Sequence, residues 1–240
     1  MFGRIMNPKY ALLLSEPGIP QTLLEAAKRA IEKALTVAER GVALITTDHP
    51  LVTGSELSSS LYSNLTAYTR AATHADYRDG IDAGRFIDII RTHPAQRRFS
   101  YASIGIFHGC LRTPGGVSVY DYCIENVGAC VSSYRLPWSW PEDEQSDMFE
   151  TAVLHAVGHV MGLALPSSED ESEYLAHCRS SSCVMANAEN NAQRLRAMTE
   201  VRMKSINPFC GTCTKYLREG DYFLQERPAP SASPSPSQVF

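Results

Sequence analysis

Residues 155–163 read His-Ala-Val-Gly-His-Val-Met-Gly-Leu. The apolar spacing across residues 144–163 predicts a helix, and His155 and His159 lie four positions apart on it. Both imidazoles would then share one helix face, about 6 Å apart along the axis, so that two nitrogens can reach one metal ion. Gly162 predicts the end of this helix through a left-handed residue. A histidine pair of this kind also occurs by chance, so it does not define a site alone.

The residues downstream add more side chains of the kinds that bind metals. Residues 177–185 read His-Cys-Arg-Ser-Ser-Ser-Cys-Val-Met, and residues 210–213 read Cys-Gly-Thr-Cys. The chain has seven cysteines, and four of them fall in the range 178–213. An odd number of cysteines, without a recognisable secretion signal, argues against a disulfide framework and for metal ligands or buried thiols.

Taken in order, these residues resemble the signature of the archaemetzincins, a branch of the metzincin zinc peptidases. That signature is His-Glu-x-x-His-x-x-Gly-x-x-His-Cys, four residues, Cys-x-Met, a spacer and Cys-x-x-Cys. The matching positions here are His155, His159, Gly162, His177, Cys178, Cys183, Met185, Cys210 and Cys213. The resemblance covers roughly residues 98–220, more weakly upstream of the helix. It implies a single zincin-like, metzincin-type α+β domain with a mixed β-sheet and an active-site helix.

The resemblance also implies two zinc ions per chain with different roles. Three imidazoles, those of His155, His159 and His177, would hold a catalytic zinc and leave a fourth position for the water that attacks a peptide bond. Met185 would pack beneath this site. A structural zinc with no open position would clamp the segment that carries His177 to the C-terminal part, and its thiolate ligands would be Cys178, Cys183, Cys210 and Cys213.

The residue after the first histidine departs from the family pattern. Archaemetzincins have a Glu there as general base, and this chain has Ala156. Alanine cannot carry a proton, and losing such a base costs about 10²–10⁴ in rate. The sequence therefore predicts a zinc metalloprotease that is inactive, or nearly so, as written. We favour a Glu-to-Ala inactivation of an active enzyme, because all the zinc ligands remain. The alternative is a natural pseudo-protease that acts as a zinc-stabilised peptide-binding module.

Two spacings also differ from the family pattern. Residues 163–176 separate Gly162 from His177 where the family has two residues, which inserts an acidic loop beside the predicted site. The loop is a candidate lid or selector of basic substrates, or it has no role. The spacer from Met185 to Cys210 is longer than in the family. We prefer His177 as the third ligand because it keeps its Cys178 neighbour; the alternative ligands are Glu169, Asp170, Glu171 and Glu173.

The resemblance further predicts where a peptide or protein substrate binds. In this clan a peptide lies antiparallel to the outer strand of the sheet and adds main-chain hydrogen bonds to it. The alternative is an ordinary edge strand that binds no substrate. The matching segment gives the candidate substrate-binding residues Val117, Ser118, Val119, Tyr120, Asp121, Tyr122 and Cys123.

Hydrophobic periodicity and turn residues predict the remaining elements. Besides 144–163, helices are expected at 20–40, 56–75, 81–92 and 188–205, and strands at 42–46, 101–107, 117–123 and 130–136. We expect one domain over residues 1–226, with its catalytic core at 98–220. Residues 227–240 are rich in Pro, Ser and Ala, which predicts a disordered tail.

The composition argues against several other classes of protein. The 240 residues are 44% hydrophobic and 20% charged, as in globular proteins. The net charge of −4 disfavours nucleic-acid and membrane-surface partners, and with them a zinc-finger-like nucleic-acid binder built on the four cysteines. No apolar run approaches the about 20 residues of a membrane span. We therefore expect a cytoplasmic protein, with export by a signal-independent route left open.

Overall fold

The computed structural model describes residues 10–16, 18–39, 43–46, 69–73, 76, 80–92, 101–124, 127–163, 177–188 and 190–219. The strands are β1 (Tyr10–Ser15), β2 (Ala43–Thr46), β3 (Gly80–Asp82), β4 (Tyr101–Phe107), β5 (Cys110–Arg112), β6 (Asp121–Ile124) and β7 (Gly128–Ser132). The helices are α1 (Gln21–Ala38), α2 (Ala83–Thr92), α3 (Glu142–Val160), α4 (Ala192–Met203) and α5 (Gly211–Glu219). The predicted α+β class with a mixed sheet is confirmed.

The main sheet has five strands in the order β2-β1-β4-β7-β6. β1 pairs in parallel with β2 and β4, and β4 pairs in parallel with β7. β6 runs antiparallel to β7, and β3 and β5 form a separate two-stranded parallel sheet. Among the described residues, β6 is therefore the edge strand of the main sheet on the side away from β2.

Both faces of the main sheet are covered by helices. Side chains alternate along a strand, so Leu13 of β1 packs with α1 and α3, whereas Leu12 and Leu14 pack with α2 on the opposite face. Helix α1 also packs against α3. Every residue of α3 from Met148 to Val160 is buried, so the half that carries the histidine pair is enclosed. A helix enclosed in this way holds its side chains in fixed positions.

Several sequence predictions are confirmed. The helices expected at 20–40, 144–163 and 188–205 correspond to α1, α3 and α4, and the strands at 42–46 and 101–107 to β2 and β4. Helix α3 ends at Val160, and Gly162 follows with a φ of 88°, the left-handed conformation expected there. None of the described helices is long and apolar enough to cross a membrane.

The strand expected at 117–123 is only partly correct. β6 begins at Asp121, because the preceding residues bond elsewhere. Ser118 forms an isolated bridge with Arg112, and the N–H of Val119 donates to the carbonyl of Leu111 at 3.0 Å. Residues 117–119 are thereby drawn toward β5 and away from the main sheet, whereas the carbonyl of Tyr120 still accepts from the N–H of Ser132 on β7 at 2.7 Å.

Two other predicted elements have different boundaries in the structure. Ile81 belongs to β3, and helix α2 begins after Asp82, whose Oδ1 accepts a hydrogen bond from the N–H of Arg85 at 2.9 Å and so caps the helix. β7 spans residues 128–132 rather than 130–136. Gly128 is its first residue, where a Cβ would collide with the carbonyl of Ser103 on β4.

Four elements were not predicted, and three predictions lie outside the described residues. The missed elements are β1, β3, β5 and α5; in β1 the apolar run at 11–14 is typical of a buried parallel strand, which is continuously apolar. Most of the helix expected at 56–75, the acidic insertion except Leu163, and the tail at 227–240 lie outside the described residues. The domain boundaries stay a prediction.

A buried charge cluster joins α1, α3 and α4. The Glu150 carboxylate accepts hydrogen bonds from Arg202 Nη1 at 2.6 Å, Arg29 Nε at 3.0 Å and Lys33 Nζ at 3.2 Å. Burial alone would raise the pKa of Glu150, but these cations together hold it below its usual value. Arg202 also donates to the Thr151 hydroxyl at 2.9 Å. The cluster therefore fixes how α4 sits on α3.

We expect Arg202→Met to lower the free energy of unfolding by about 3–5 kcal/mol, because it leaves the Glu150 carboxylate buried without its closest cation. Urea denaturation followed by circular dichroism measures this change. Arg218→Met is the matched control, since the Arg218–Glu39 ion pair is exposed and should cost less than about 1 kcal/mol. Equal losses in the two variants would contradict a structural role for the buried cluster.

Candidate functional site

Three histidines converge at the C-terminal half of α3. The rings of His155 and His159 have centroids 4.7 Å apart, and each lies 5.2 Å from the ring of His177. One nitrogen of each imidazole lies within 4.8 Å of the others. The helix places His155 and His159 on one face, and the segment after the acidic insertion brings His177 to them. The three imidazoles predicted as ligands are therefore brought together.

The orientation of His155 is fixed by a backbone contact. Its Nδ1 lies 2.8 Å from the carbonyl oxygen of Val184. A carbonyl can only accept, so Nδ1 carries the proton and Nε2 is left with a lone pair for a metal. Met185, the next residue, is buried against Gly158, where a Cβ would collide with its Sδ. Glycine at 158 is therefore needed for Met185 to occupy this position.

The spacing of the imidazole nitrogens fits a tetrahedral metal ion. The Nε2 atoms of His155 and His159 are 3.1 Å apart. Two nitrogens bound to one zinc at about 2.0–2.1 Å would be separated by about 3.3 Å. Burial, together with the adjacent imidazoles of His155 and His177, lowers the pKa of His159 well below its usual value. At neutral pH the imidazole of His159 is therefore neutral, which is the form that binds metals.

Four cysteines form a second cluster beside the histidines. The sulfur atoms of Cys178, Cys183, Cys210 and Cys213 lie within 4.8 Å of one another. The Sγ atoms of Cys178 and Cys210 are 3.7 Å apart, close to the about 3.8 Å expected for two thiolates that share one tetrahedral zinc at about 2.3 Å. Cys183 and Cys213 are buried, and Cys178 and Cys210 are partly exposed. These residues can hold one metal ion with no open position.

The thiols of Cys178, Cys183 and Cys213 differ strongly in pKa. A hydrogen bond from Cys213 lowers the pKa of Cys183 to about 5, and the same bond raises the pKa of Cys213. Burial raises the pKa of Cys178 to about 11. Sulfurs this close must share protons when no cation is present. A divalent ion would replace those protons and stabilise all four as thiolates.

The segment 177–185 connects the two clusters. It carries His177, Cys178 and Cys183, and the N–H of Cys178 donates to the carbonyl of Met185 at 2.8 Å. Its contacts with the C-terminal part are hydrogen bonds from the N–H of Val184 to the Pro208 carbonyl at 3.0 Å and from the N–H of Cys210 to the Cys183 sulfur at 3.3 Å. This segment therefore links the position of His177 to that of the cysteine cluster.

The histidines open into a cavity of ≈ 590 Å³, which we call the cleft. Of the segment predicted to bind substrate, residues 119–123 line the cleft, and Val117 and Ser118 are not among its lining residues. Ala156 is fully buried in the core beside the histidines and does not line the cleft either. The wall opposite the edge strand was not predicted, and its residues include Asn187, Asn190, Leu195 and Met198.

The three remaining cysteines belong to neither cluster. Cys110, Cys123 and Cys130 are buried free thiols, and Cys123 also lines the cleft. Cys130 has its pKa raised by burial, so its thiol stays protonated. The carboxylates weighed as alternatives to His177 lie outside the described residues.

Comparison with known proteins identifies the fold. No protein-family model matches the chain, and no curated protein matches its sequence. The structure is similar to that of archaemetzincin from Methanopyrus kandleri, with a TM-score of 0.57 and 19% identity over 89% of this chain and 96% of that one. It is also similar to archaemetzincin from Archaeoglobus fulgidus, with a TM-score of 0.52 and 17% identity over 86% and 97%. Since both matches span nearly the whole of the other chain, this protein has the archaemetzincin fold.

Proposed function

We propose that this chain has the metal sites of a zinc metallopeptidase. Three imidazoles would hold a catalytic zinc, and four thiolates would hold a structural zinc. The observation that carries the proposal is the convergence of His155, His159 and His177 in a cleft that also borders the edge strand. The resemblance of the sequence to archaemetzincins and the shared fold support the same activity.

The two clusters suit different roles. The histidines offer three ligands in a cleft that a substrate can enter, which is the arrangement of catalytic zinc. Such a zinc activates water and polarises the carbonyl of a peptide bond. Val184 holds His155 in the tautomer that the metal requires, and burial keeps His159 neutral. The cysteines offer a complete tetrahedral set, which suits a structural ion.

The edge strand supplies main-chain groups for a peptide. Antiparallel pairing alternates, and the N–H of Ser132 on β7 donates to the carbonyl of Tyr120. The N–H and C=O groups of Asp121 and Cys123 therefore point away from β7, on the outer side of β6. Both residues line the cleft. An extended peptide that adds to β6 would bond to these two residues, rather than to the whole of 117–123.

With Ala156, this site lacks the carboxylate that would carry a proton in the reaction. Its methyl group is buried beside the histidines, where the family has a Glu. We propose that the chain as written binds zinc and peptide but cuts poorly, as an inactivated form of an active protease. The alternative is a natural pseudo-protease that uses the same cleft only to hold an extended peptide.

Purified protein should contain two zinc ions per chain. Elemental analysis by plasma mass spectrometry, normalised to amino-acid analysis, measures the ratio. A chelator of moderate strength should remove the ion held by the partly open histidine set first, because the thiolate set is closed. A ratio of one or none after loading with zinc would contradict the assignment of two sites.

Loss of the cysteine site should also empty the histidine site. In Cys213→Ser we expect both metals to be lost and the protein destabilised, because segment 177–185 carries His177 and the Val184 carbonyl. His159→Ala should lose one metal and stay folded. Metal analysis with urea denaturation separates the two outcomes, and Cys110→Ser is the control that replaces a buried thiol outside the clusters. Loss of a single metal in Cys213→Ser would show that the sites are independent.

Restoring the general base should restore hydrolysis. Ala156→Glu is expected to raise the rate of peptide cleavage by about 10²–10⁴ over the parent chain. Cleavage of a mixed library of fluorogenic peptides, abolished by chelator and restored by zinc, is the measurement. Ala156→Gln has nearly the same size without the proton-carrying group and should stay inactive. A folded, metal-loaded Ala156→Glu protein that cuts nothing would favour the binding module.

A further inference from the structure

The two walls of the cleft are joined at one end by a set of hydrogen bonds. The N–H of Tyr120 donates to Asn190 Oδ1 at 3.2 Å. Arg135 donates from Nη1 to the carbonyl of Ser118 at 2.5 Å and from Nη2 to the carbonyl of Asn190 at 2.6 Å. We call Ser118, Tyr120, Arg135 and Asn190 the strap. It connects the segment that enters β6 to the segment that forms the opposite wall.

Further contacts make the strap rigid. The Arg135 guanidinium lies over the Tyr120 ring, 5.2 Å from its centroid, and the Tyr120 hydroxyl donates to the Arg135 carbonyl at 3.1 Å. Asn190 has a φ of 52°, which asparagine tolerates better than most residues and which turns its side chain and carbonyl toward the strap. A planar guanidinium that bonds two carbonyls holds them at a fixed separation.

The strap lies at the end of β6 where the C-terminus of a bound peptide would be. β6 runs from Asp121 to Ile124, so an antiparallel peptide passes Ile124 first and reaches Asp121 last. Beyond Asp121 the main-chain donors are already used. Tyr120 N–H bonds to Asn190, and Val119 N–H bonds to the Leu111 carbonyl. A peptide that continued past this point would find neither of these two donors free and would meet the strap.

The charge at the closed end suits a carboxylate. None of the ion pairs among the described residues involves Arg135, whose guanidinium is bonded to carbonyls. The guanidinium lies against Tyr120 and Asn190, which line the cleft, and its positive charge favours a negative group nearby. Leu195 and Met198 of α4 line the same cleft and offer apolar surface to a side chain near the peptide end.

We infer that the cleft accepts the free C-terminal end of a peptide, so that the substrates of this site are peptides whose chain ends at the strap. Arg135 and Asn190 are positioning residues that close the cleft and so determine this preference. The inference rests on the proposed function, because it takes the peptide to lie antiparallel to β6. Beyond the proposed function, we infer that a bound peptide can extend freely only on its N-terminal side.

The test uses the zinc-loaded chain as it stands, since Ala156 leaves bound peptides uncut. Immobilised protein is incubated with one mixture of synthetic decapeptides in four forms: free C-terminal acid, C-terminal amide, C-terminally extended with Gly and Ser, and N-terminally extended in the same way. Competitive retention is read by mass spectrometry. We expect the free-acid and N-extended forms to be retained at least about tenfold better than the C-extended form, with the amide in between.

Two variants assign the preference to the strap. Asn190→Gly removes the side-chain acceptor and still permits the positive φ, and Arg135→Met removes both bonds to the carbonyls. In each variant we expect the difference between the free-acid and C-extended forms to fall to within about threefold, with the metal content unchanged. Arg135→Lys keeps the positive charge but lacks the planar guanidinium that bonds two carbonyls, so it should not restore the preference for the free-acid form. If Arg135→Met does not fold, Asn190→Gly carries the comparison.

The outcomes separate this inference from the proposed function. Equal retention of the C-extended and free-acid forms by the parent chain would overturn the closed end while leaving peptide binding intact. Equal retention of the amide and the acid would overturn the charge role of Arg135. A preference that survives in both Asn190→Gly and Arg135→Met would show that another feature closes the cleft. Retention of none of the four forms would overturn the proposed function, and this inference with it.

Discussion

The hydrogen bond between His155 Nδ1 and the Val184 carbonyl is the contact on which the site depends. It joins the enclosed helix α3 to segment 177–185, and it determines which nitrogen of His155 is available to a metal. Because Val184 stands next to Cys183 and Met185, the same few residues orient one imidazole, contribute a thiolate and fill the space over Gly158. The two clusters are therefore parts of one structural unit.

Burial of α3 explains how the chain can hold two imidazoles so close together. Their Nε2 atoms are 3.1 Å apart, and two protonated rings at that distance would repel each other. Enclosure by the sheet, by α1 and by segment 177–185 removes water and favours the neutral form of His159. On the far side of α3, the buried Glu150 carboxylate pairs with three cations and fixes α4, which supplies Leu195 and Met198 to the cleft.

The cleft itself is built from segments that are distant in sequence. The edge strand β6 provides outward main-chain groups, and residues 187–190 provide the opposite wall. Arg135, in the turn between β7 and α3, bridges the two. This arrangement gives the cleft one open direction and one closed end. We propose that such a cleft selects a peptide by where its chain ends as well as by its side chains.

The sequence by itself predicted which side chains the structure brings together as candidate metal ligands, because metal-ligand chemistry is carried by residue types at short spacings: His155 and His159 one helical turn apart, and His177 joined to Cys178. It also determined most of the helices, since apolar periodicity is a local property. It did not determine that residues 117–119 leave the main sheet, that Ala11 to Leu14 form a central strand, or that Asn190 and Arg135 meet across the cleft. The first feature depends on a choice between two hydrogen-bond partners, β5 and β7, that residue types do not encode. The other two come from hydrogen bonds between residues far apart in the chain, and such bonds exist only once the tertiary structure has brought their partners together.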